Sequence, residues 1–563
     1  MTITHVPVVI VGAGPTGASA AIMLAQRGIE CLLLDRWQDV YPLPRAVHFD
    51  DEVFRIFAQL GIAEQVRAIS RPLPGMQLVD GRHRVLAELT RDPSGQVHGY
   101  PAANMFHQPE LEHVLRDRLA ELPQIDFRGN VEVIAVEPGA HGQEPVRVRY
   151  RDLVSGTETE VWADAVLGCD GANSITRTAV GATLEDLGFS QKWLVVDVHS
   201  PQRLDVYDGV QQVCDHDRAA TFMRVTDGYY RWEFRLRAGE TPDDIDERRV
   251  LELIGPWLGG VDPDKLTILR RAWYTFRGVV ADRWQLGRVF LLGDAAHLTP
   301  PFIGQGMCAG IRDAANLTWK LALVLDGRAD DRLLDTYEAE RRPYARRVVQ
   351  MAIAVGWLMT GGGPRTSRLR RAATWCVTRL PGVEDRVMTA AWPAFRNSPL
   401  TAAGGRLAGR LFPQPRLRAD EGVVLLDDGL GDGFAVLTRT PHAAEAFDPP
   451  TRAFFAGLGM KVVSLHADPS VDVDGALTAL LDGAGADALL LRPDRVVAAG
   501  ADRSDLRSWR RLLESAGISP REQSWRAQTA PDDWGNPGFD DVSRARTFDL
   551  MPREQRATER TAP

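Results

Sequence analysis

Residues 8–11 (Val-Val-Ile-Val) form an unbroken apolar run, the pattern of a strand buried on both faces in a parallel sheet. Gly12-Ala13-Gly14-Pro15-Thr16-Gly17 follows as a tight turn, residues 18–27 as a helix of small residues, and residues 31–34 as a second apolar strand ending at Asp35. Between about 185 and 277 the period changes to two. Residues 221–226 and 229–237 flank Asp227-Gly228, which predicts a hairpin with a type I′ turn. Tyr230, Trp232, Phe234 and Leu236 face one way, and Arg231, Glu233, Arg235 and Arg237 the other, so this is an antiparallel sheet with one apolar face. Residues 289–292 return to the buried-strand pattern, and apolar helices are expected over 308–325 and 333–355, before a break at 361–368. From about 405, short strands (422–426, 434–437, 461–465, 488–491, 496–499) alternate with helical segments such as 504–515, and Arg492-Pro493-Asp494-Arg495 has the look of a hairpin turn. This last stretch reads as a small separate α/β domain.

Composition narrows the function classes. A chain of 563 residues is long enough for about three or four domains and needs no disulfide or metal staple. Its net charge of −9 argues against a general nucleic-acid binder. Only four of the 66 basic residues are lysines, a skew that fits a GC-rich genome, so arginine clusters carry little weight. Five scattered cysteines without a Cys-x-x-Cys pair fit a reducing compartment and argue against a disulfide scaffold or a zinc module. Residues 6–26 carry no charge over a length that would span a membrane, but three glycines and Pro15 within it favour strand, turn and buried helix. A cytoplasmic protein without membrane or nucleic-acid partners is expected. No metal-ligand cluster and no Gly-x-Ser-x-Gly elbow is present.

The candidate chemistry lies in three pieces. In Gly12-x-Gly14-x-x-Gly17, Gly12 permits the turn, Gly14 lets backbone approach a pyrophosphate, and Gly17 lets helix and strand pack closely. Asp35, at the end of the second strand, suits the two hydroxyls of an adenosine ribose and disfavours a 2′-phosphate, which points to FAD or NAD. The second piece is residues 166–177, with Asp170-Gly171 after an apolar strand. The third is Gly293-Asp294, followed by Pro300-Pro301 and Gly304-Gln305-Gly306-Met307. A plain NAD dehydrogenase needs neither of the last two.

With all three motifs in this order, the sequence resembles the FAD-dependent aromatic hydroxylases, the single-component flavoprotein monooxygenases. The likeness is closest to 3-(3-hydroxyphenyl)propionate hydroxylase-like and polyketide-tailoring members, through Pro44-Arg45-Ala46-Val47-His48-Phe49-Asp50-Asp51-Glu52 and residues 304–321. The resemblance implies an α/β fold: a Rossmann-like FAD-binding domain (1–180 and 278–355), an interwoven antiparallel substrate sheet (181–277), a helical link (356–404), a thioredoxin-like C-terminal domain (405–550) and a flexible tail (551–563). It also implies FAD contacts for Gly12, Gly14, Pro15, Thr16, Gly17, Asp35, Arg36, Arg45, Asp170, Gly171, Asp294, Gly304, Gln305, Gly306 and Met307. Asp294 would hold the ribityl chain, while the bland alternatives are an N-cap for Asp294 and a simple turn for Asp170-Gly171. A helix starting near Met307 would aim its amides at the negative charge of reduced flavin.

The implied reaction is hydroxylation of a phenolic ring through a flavin C4a-hydroperoxide, with O2 and transient NADH or NADPH. The substrate is expected to be a small phenol of the hydroxyphenylpropionate type or, alternatively, a polycyclic natural product; an FAD-binding oxidase or non-catalytic flavoprotein is the reading from another class. Phe222, Trp232, Phe234, Trp273 and Phe302 are the expected apolar walls, with Arg224 as a partner for a substrate carboxylate and Pro301 beside the reacting centre. His48 is the first choice for a base that ionises the phenol and Tyr230 the second, with a structural histidine as the alternative at 48. Residues 405–550 contain no cysteine, which excludes dithiol chemistry there and leaves packing or a homodimer interface.

Overall fold

The structure, a computed structural model, describes residues 4–91, 97–139, 144–360, 393–395, 397–403, 405–419, 422–439, 448–464, 472–501 and 507–519. The break expected at 361–368, most of the expected link, the end of the expected C-terminal domain and the tail lie outside the described residues. The chain divides into two compact units, residues 1–326 with 331–393, and residues 327–330 with 394–563.

The first unit is built on two large sheets. In one, Val289–Leu291, Glu158–Gly168, Thr4–Val11, Cys31–Leu34 and Ile125–Arg128 run side by side and parallel. Val8, Val9, Ile10, Leu32, Leu33, Val166 and Leu167 are buried, as central strands covered on both faces require. The second sheet has eight strands, in the order 297–298, 267–281, 184–199, 229–235, 220–226, 210–213, 75–79 and 85–90. The insert expected over 181–277 is therefore wider. It takes two strands from before residue 100 and a strand that runs on to Ala281. These additions pair with strands distant in sequence, so no local pattern marks them.

The hairpin forms between Ala220–Thr226 and Tyr229–Arg235, but the turn is not type I′. Only Gly228 of its two residues has positive φ (+76°), and the register slips between Arg224 and Thr226, so a bulge absorbs the twist that a I′ turn would supply. The helix expected from 308 starts at Gly306 and runs to Leu325, and a second runs from Arg332 to Thr360.

In the second unit, strands 461–464, 435–438, 488–491 and 497–501 form one sheet in that order, the first two parallel and the others antiparallel. Pro449–Gly457 and Ala476–Ala484 separate the strands in sequence, and Arg507–Ser515 follows them. Leu437, Leu477, Leu481, Leu489 and Leu491 fill its core. Arg495, at φ +61°, closes the expected turn after Arg492.

Candidate functional site

The glycine turn is locked from both sides. Gly12 has φ +96°, and a Cβ there would press on the Cys169 carbonyl of the neighbouring strand; a Cβ on Gly17 would press on the Gly12 carbonyl. Both approaches are closer than real Cβ atoms achieve. Gly14 is different, because a Cβ there would meet nothing within 4 Å. Its backbone lines open space at the N-terminus of helix Pro15–Ala25, where Pro15 occupies the first turn and the free amides form an anion site. Asp35 accepts from Ala13 N at 2.6 Å and from Trp37 N at 2.8 Å, which ties the turn to the end of the second strand. The neighbouring Arg36 is exposed and paired with Glu132 at 2.9 Å.

The second and third motifs join this turn through packing. The Thr16 hydroxyl is wedged against Gly293 and Gly310; a Cβ on Gly310 would clash with it, and one on Gly293 would crowd it at 3.0 Å. Thr16 thus presents its side chain to two glycines, leaving its backbone for the open side. Arg177 donates to the carbonyls of Ala172 (2.8 Å) and Ala295 (3.1 Å), tying the Asp170-Gly171 segment to the Gly293-Asp294 segment. Asp170 itself accepts from Ser174 Oγ (2.6 Å) and Thr176 N (2.9 Å), so its carboxylate holds the start of helix Ile175–Val180. Gly171 has φ +77° with open space beside it. Asp294 accepts no hydrogen bond from any described residue, and burial raises its pKa against the pull of His297 and Arg45. A half-buried carboxylate without a donor suits a polyol such as the ribityl chain.

The loop that follows is held by specific contacts. Gly304 adopts φ +64°, and a Cβ there would sit 2.7 Å from His48 Nδ1. The buried Gln305 side chain donates to Asp50 (3.1 Å) and accepts from Arg312 (2.8 Å), fixing the loop and not facing outward. A Cβ on Gly306 would meet nothing within 4 Å, so the amides at the start of helix Gly306–Leu325 also border open space. Beneath them lies a buried charge network: Asp313 accepts from Gly293 N (3.0 Å), His297 Nε2 (2.9 Å) and Arg341 Nε (2.8 Å). Despite its burial, the Arg341 and His297 charges hold the Asp313 pKa below the usual range. These residues are legible only as charges in an otherwise apolar helix pattern.

The sheet faces correct the expected pocket walls. Phe222, Tyr230, Trp232 and Phe234 pack with Val250, Ile254 and Trp257 in a closed core, and Trp273 packs against the same cluster. The Tyr230 hydroxyl accepts from Leu204 N (3.1 Å) within that core, so it is not placed to act as a base. Helix Glu247–Ile254 covers the apolar face because that face needs a partner, and the hairpin alone does not reveal which partner it gets. The charged face is the one turned inward: Arg231 pairs with Asp197 (2.6 Å) and donates to the carbonyls of Pro44 and Arg45 at 2.7 Å. Arg224 bonds Asp208 and Asp227 and is not held in reserve for a substrate. Phe302 does lie on this inner side, against Phe189 and Trp193, on the loop with Pro301.

The open Gly14 position makes a direct prediction. Gly14→Ala should melt within about a degree of the parent while losing at least about tenfold in FAD affinity, because its methyl meets only the ligand. Thermal melts and flavin titration of the apoprotein check it; unchanged flavin affinity would remove Gly14 from the site.

Residues 5–352 match the family described as the FAD binding domain, and residues 409–516 match the HcaD C-terminal domain. A probable NADH-specific resorcinol 4-hydroxylase of Rhodococcus jostii (strain RHA1) is 33% identical over 87% of this chain and 91% of its own length. A 3-(3-hydroxy-phenyl)propionate/3-hydroxycinnamic acid hydroxylase of Burkholderia cenocepacia (strain HI2424) is 32% identical over 92% and 97%. Among solved structures, aklavinone-11 hydroxylase with FAD and aklavinone superimposes with a TM-score of 0.76 at 24% identity, covering 92% of this chain and 100% of the other.

Proposed function

Because this chain belongs to the FAD-dependent aromatic hydroxylases, we propose that it places one oxygen atom of O2 on the ring of a small phenol. NADH or NADPH serves as the transient reductant, and the second oxygen atom leaves as water. The observation that carries this reading is the packing of Thr16, next to the open Gly14 position, against Gly293 and Gly310, which joins the glycine turn to the Gly293-Asp294 segment and to helix Gly306–Leu325. Bound FAD supplies the redox and oxygen chemistry. The chain's own groups would bind and orient it: the amides at Gly14 and Thr16 would take the pyrophosphate, Asp35 the ribose, Asp294 the ribityl chain, and the amides at Gly306 and Met307 the electron-rich end of the ring system. Phe302 and Trp193 exclude water beside it. Relatives named for resorcinol and for hydroxyphenylpropionate support a single-ring phenol. The test is a screen of phenols for NADH and NADPH oxidation with product analysis. A ring-hydroxylated product is expected, and NAD(P)H oxidation that yields peroxide with every phenol would overturn the reading.

His48 lies beside Gly304, with Nδ1 3.4 Å from the Gly304 carbonyl. Burial first, then the charge of Arg91, lowers its pKa to about 4, so its ring is neutral at pH 7 and accepts a hydrogen bond from a phenol without storing the proton. The unfolded chain takes up this proton near 6.5. The stability contributed by neutral His48 is therefore complete above that value and is lost as pH falls toward 4. Asp51, pushed up to about 8 mainly by burial, acts in the opposite sense in parent and variant alike. Acidification from 6.5 to 4.5 should therefore lower Tm more steeply in the parent than in His48→Gln; parallel Tm–pH curves would refute the assignment.

The C-terminal unit we read as thioredoxin-like. Its chain order of strand, helix, strand, helix, two strands and helix, with the second and first strands parallel at one side of the sheet, supports this. Without cysteine in 405–550 its role is packing or self-association. No described helix is long and apolar enough to cross a membrane, and we take the enzyme to be cytoplasmic.

A further inference from the structure

The inward face of the substrate sheet carries one acid with no assigned task. Glu233 stands in the row Leu78, Gln212, Thr221, Glu233, Val195, Ala272, fixed by the register of five neighbouring strand pairs. Only 7% of it is exposed, yet no described residue donates a hydrogen bond to it or pairs with it as an ion. The guanidiniums on the same face are bonded to protein groups: Arg231 to Asp197 and two carbonyls, Arg235 to the carbonyls of Thr360 and His216, Arg270 to the carbonyl of Pro44 and the Tyr274 hydroxyl, with only the Arg270 Nε left without a partner among these. Gln212 and Thr221 bond each other at 2.8 Å.

The position of Glu233 is bounded on two sides by segments that carry the expected flavin contacts. Two residues along its strand, Arg231 reaches the carbonyls of Pro44 and Arg45. One strand over and on the same face, Trp193 packs edge-on against Phe302, two residues before Gly304. Leu78, at the far end of the row, joins Met359 and Phe302 in one apolar cluster. A buried carboxyl without a donor is costly unless something else supplies one.

We propose that Glu233 receives a ring hydroxyl of an uncharged phenolic substrate and rejects substrates that would place a carboxylate there. This inference rests on the hydroxylase reading above and narrows its substrate class. A substrate carboxylate would meet the acid, with its nearest cations already committed to protein partners. A phenolic hydroxyl supplies the missing donor. The charged groups that share this face with Glu233 among the described elements are Arg231 and Arg235 on its own strand, Asp197 on 184–199 and Arg270 on 267–281, and of these Arg231, Asp197 and Arg270 act on its titration. Burial, helped by the Asp197 charge, outweighs the pull of Arg231 and Arg270 and raises the acid to about 7, so both protonation states are accessible near neutrality.

The experiment compares the FAD-loaded parent with Glu233→Gln, which keeps shape and one acceptor but cannot ionise. Each is titrated with a neutral dihydroxybenzene and with a phenol bearing a propionate, and binding is read from flavin absorbance without reductant; kcat and KM are then measured. The parent should bind the dihydroxybenzene at least about tenfold more tightly than the propionate, and more tightly as pH rises through about 7. In Glu233→Gln the pH step should vanish, the dihydroxybenzene should weaken about tenfold and the propionate should gain. Equal flavin content in the two proteins shows that the variant folds. A variant that binds both ligands as the parent does, or a parent that prefers the propionate, would overturn the role of Glu233 while leaving the hydroxylase reading intact. Failure of any phenol to perturb the flavin or to be hydroxylated by the parent overturns both.

Discussion

An Asp313→Ala variant is expected to lose about 3–5 kcal/mol of stability, the cost of stranding one member of a buried ion pair. The carboxylate at 313 is fully buried and is the shared acceptor for Arg341, His297 and the amide of Gly293. Without it the Arg341 guanidinium keeps only the Ala309 carbonyl, at 3.2 Å, as a partner in this network. A loss of that size approaches the whole stability of an ordinary domain, roughly 5–15 kcal/mol, so much of the variant should be unfolded or flavin-free at 37 °C. Urea denaturation followed by flavin release measures it. The double variant Asp313→Leu with Arg341→Met should recover part of the loss, because it removes the stranded Arg341 charge, while His297 and the Gly293 amide stay without their acceptor. A single variant with the parental urea midpoint would show that the network contributes nothing.

Gly17→Ala should be nearly as damaging, and in a different way. The methyl would point into the Gly12 carbonyl, which is backbone and held in place by the Gly12 N–H bond to Leu34 O at 2.7 Å. Strand and helix would have to part, a cost of about 1–3 kcal/mol, and the amides that border the Gly14 opening would lose their aim. The protein should purify colourless, with Tm lowered by several degrees. Gly14→Ala, three residues away, should keep its Tm and lose only flavin affinity. If Gly17→Ala purifies with a full complement of FAD and an unchanged Tm, the turn does not depend on this close approach.

The features legible in the sequence are those where the backbone itself dictates the residue. Gly12, Gly17 and Gly304 stand where a Cβ would clash or φ is positive, and such demands are met by one residue type. The parallel strands were legible for a similar reason, as continuous apolar runs. The sheet faces were not. Alternation in Tyr229–Arg235 separates two faces but does not say which is covered by Glu247–Ile254 and which meets Pro44 and Arg45. The apolar face is the closed core, so Phe222, Tyr230, Trp232 and Phe234 do not line a pocket. The arginine face is buried because Asp197, 34 residues away, neutralises Arg231 across neighbouring strands. Such pairs are made by topology. The tasks of Asp170 and Gln305 were hidden likewise, since each side chain serves a neighbouring turn or loop.

The wedge of Thr16 between Gly293 and Gly310 also fixes an order of events during synthesis. The surfaces that complete the glycine turn are encoded almost three hundred residues after it. At roughly 5–20 residues per second, about 15–60 s separate the two. Throughout that interval the helix Pro15–Ala25, buried along most of its length in the finished protein, has an apolar side without its partner. Flavin capture is thus a late step for the nascent chain, and any truncation before residue 310 leaves the first motif translated but unable to hold its ligand.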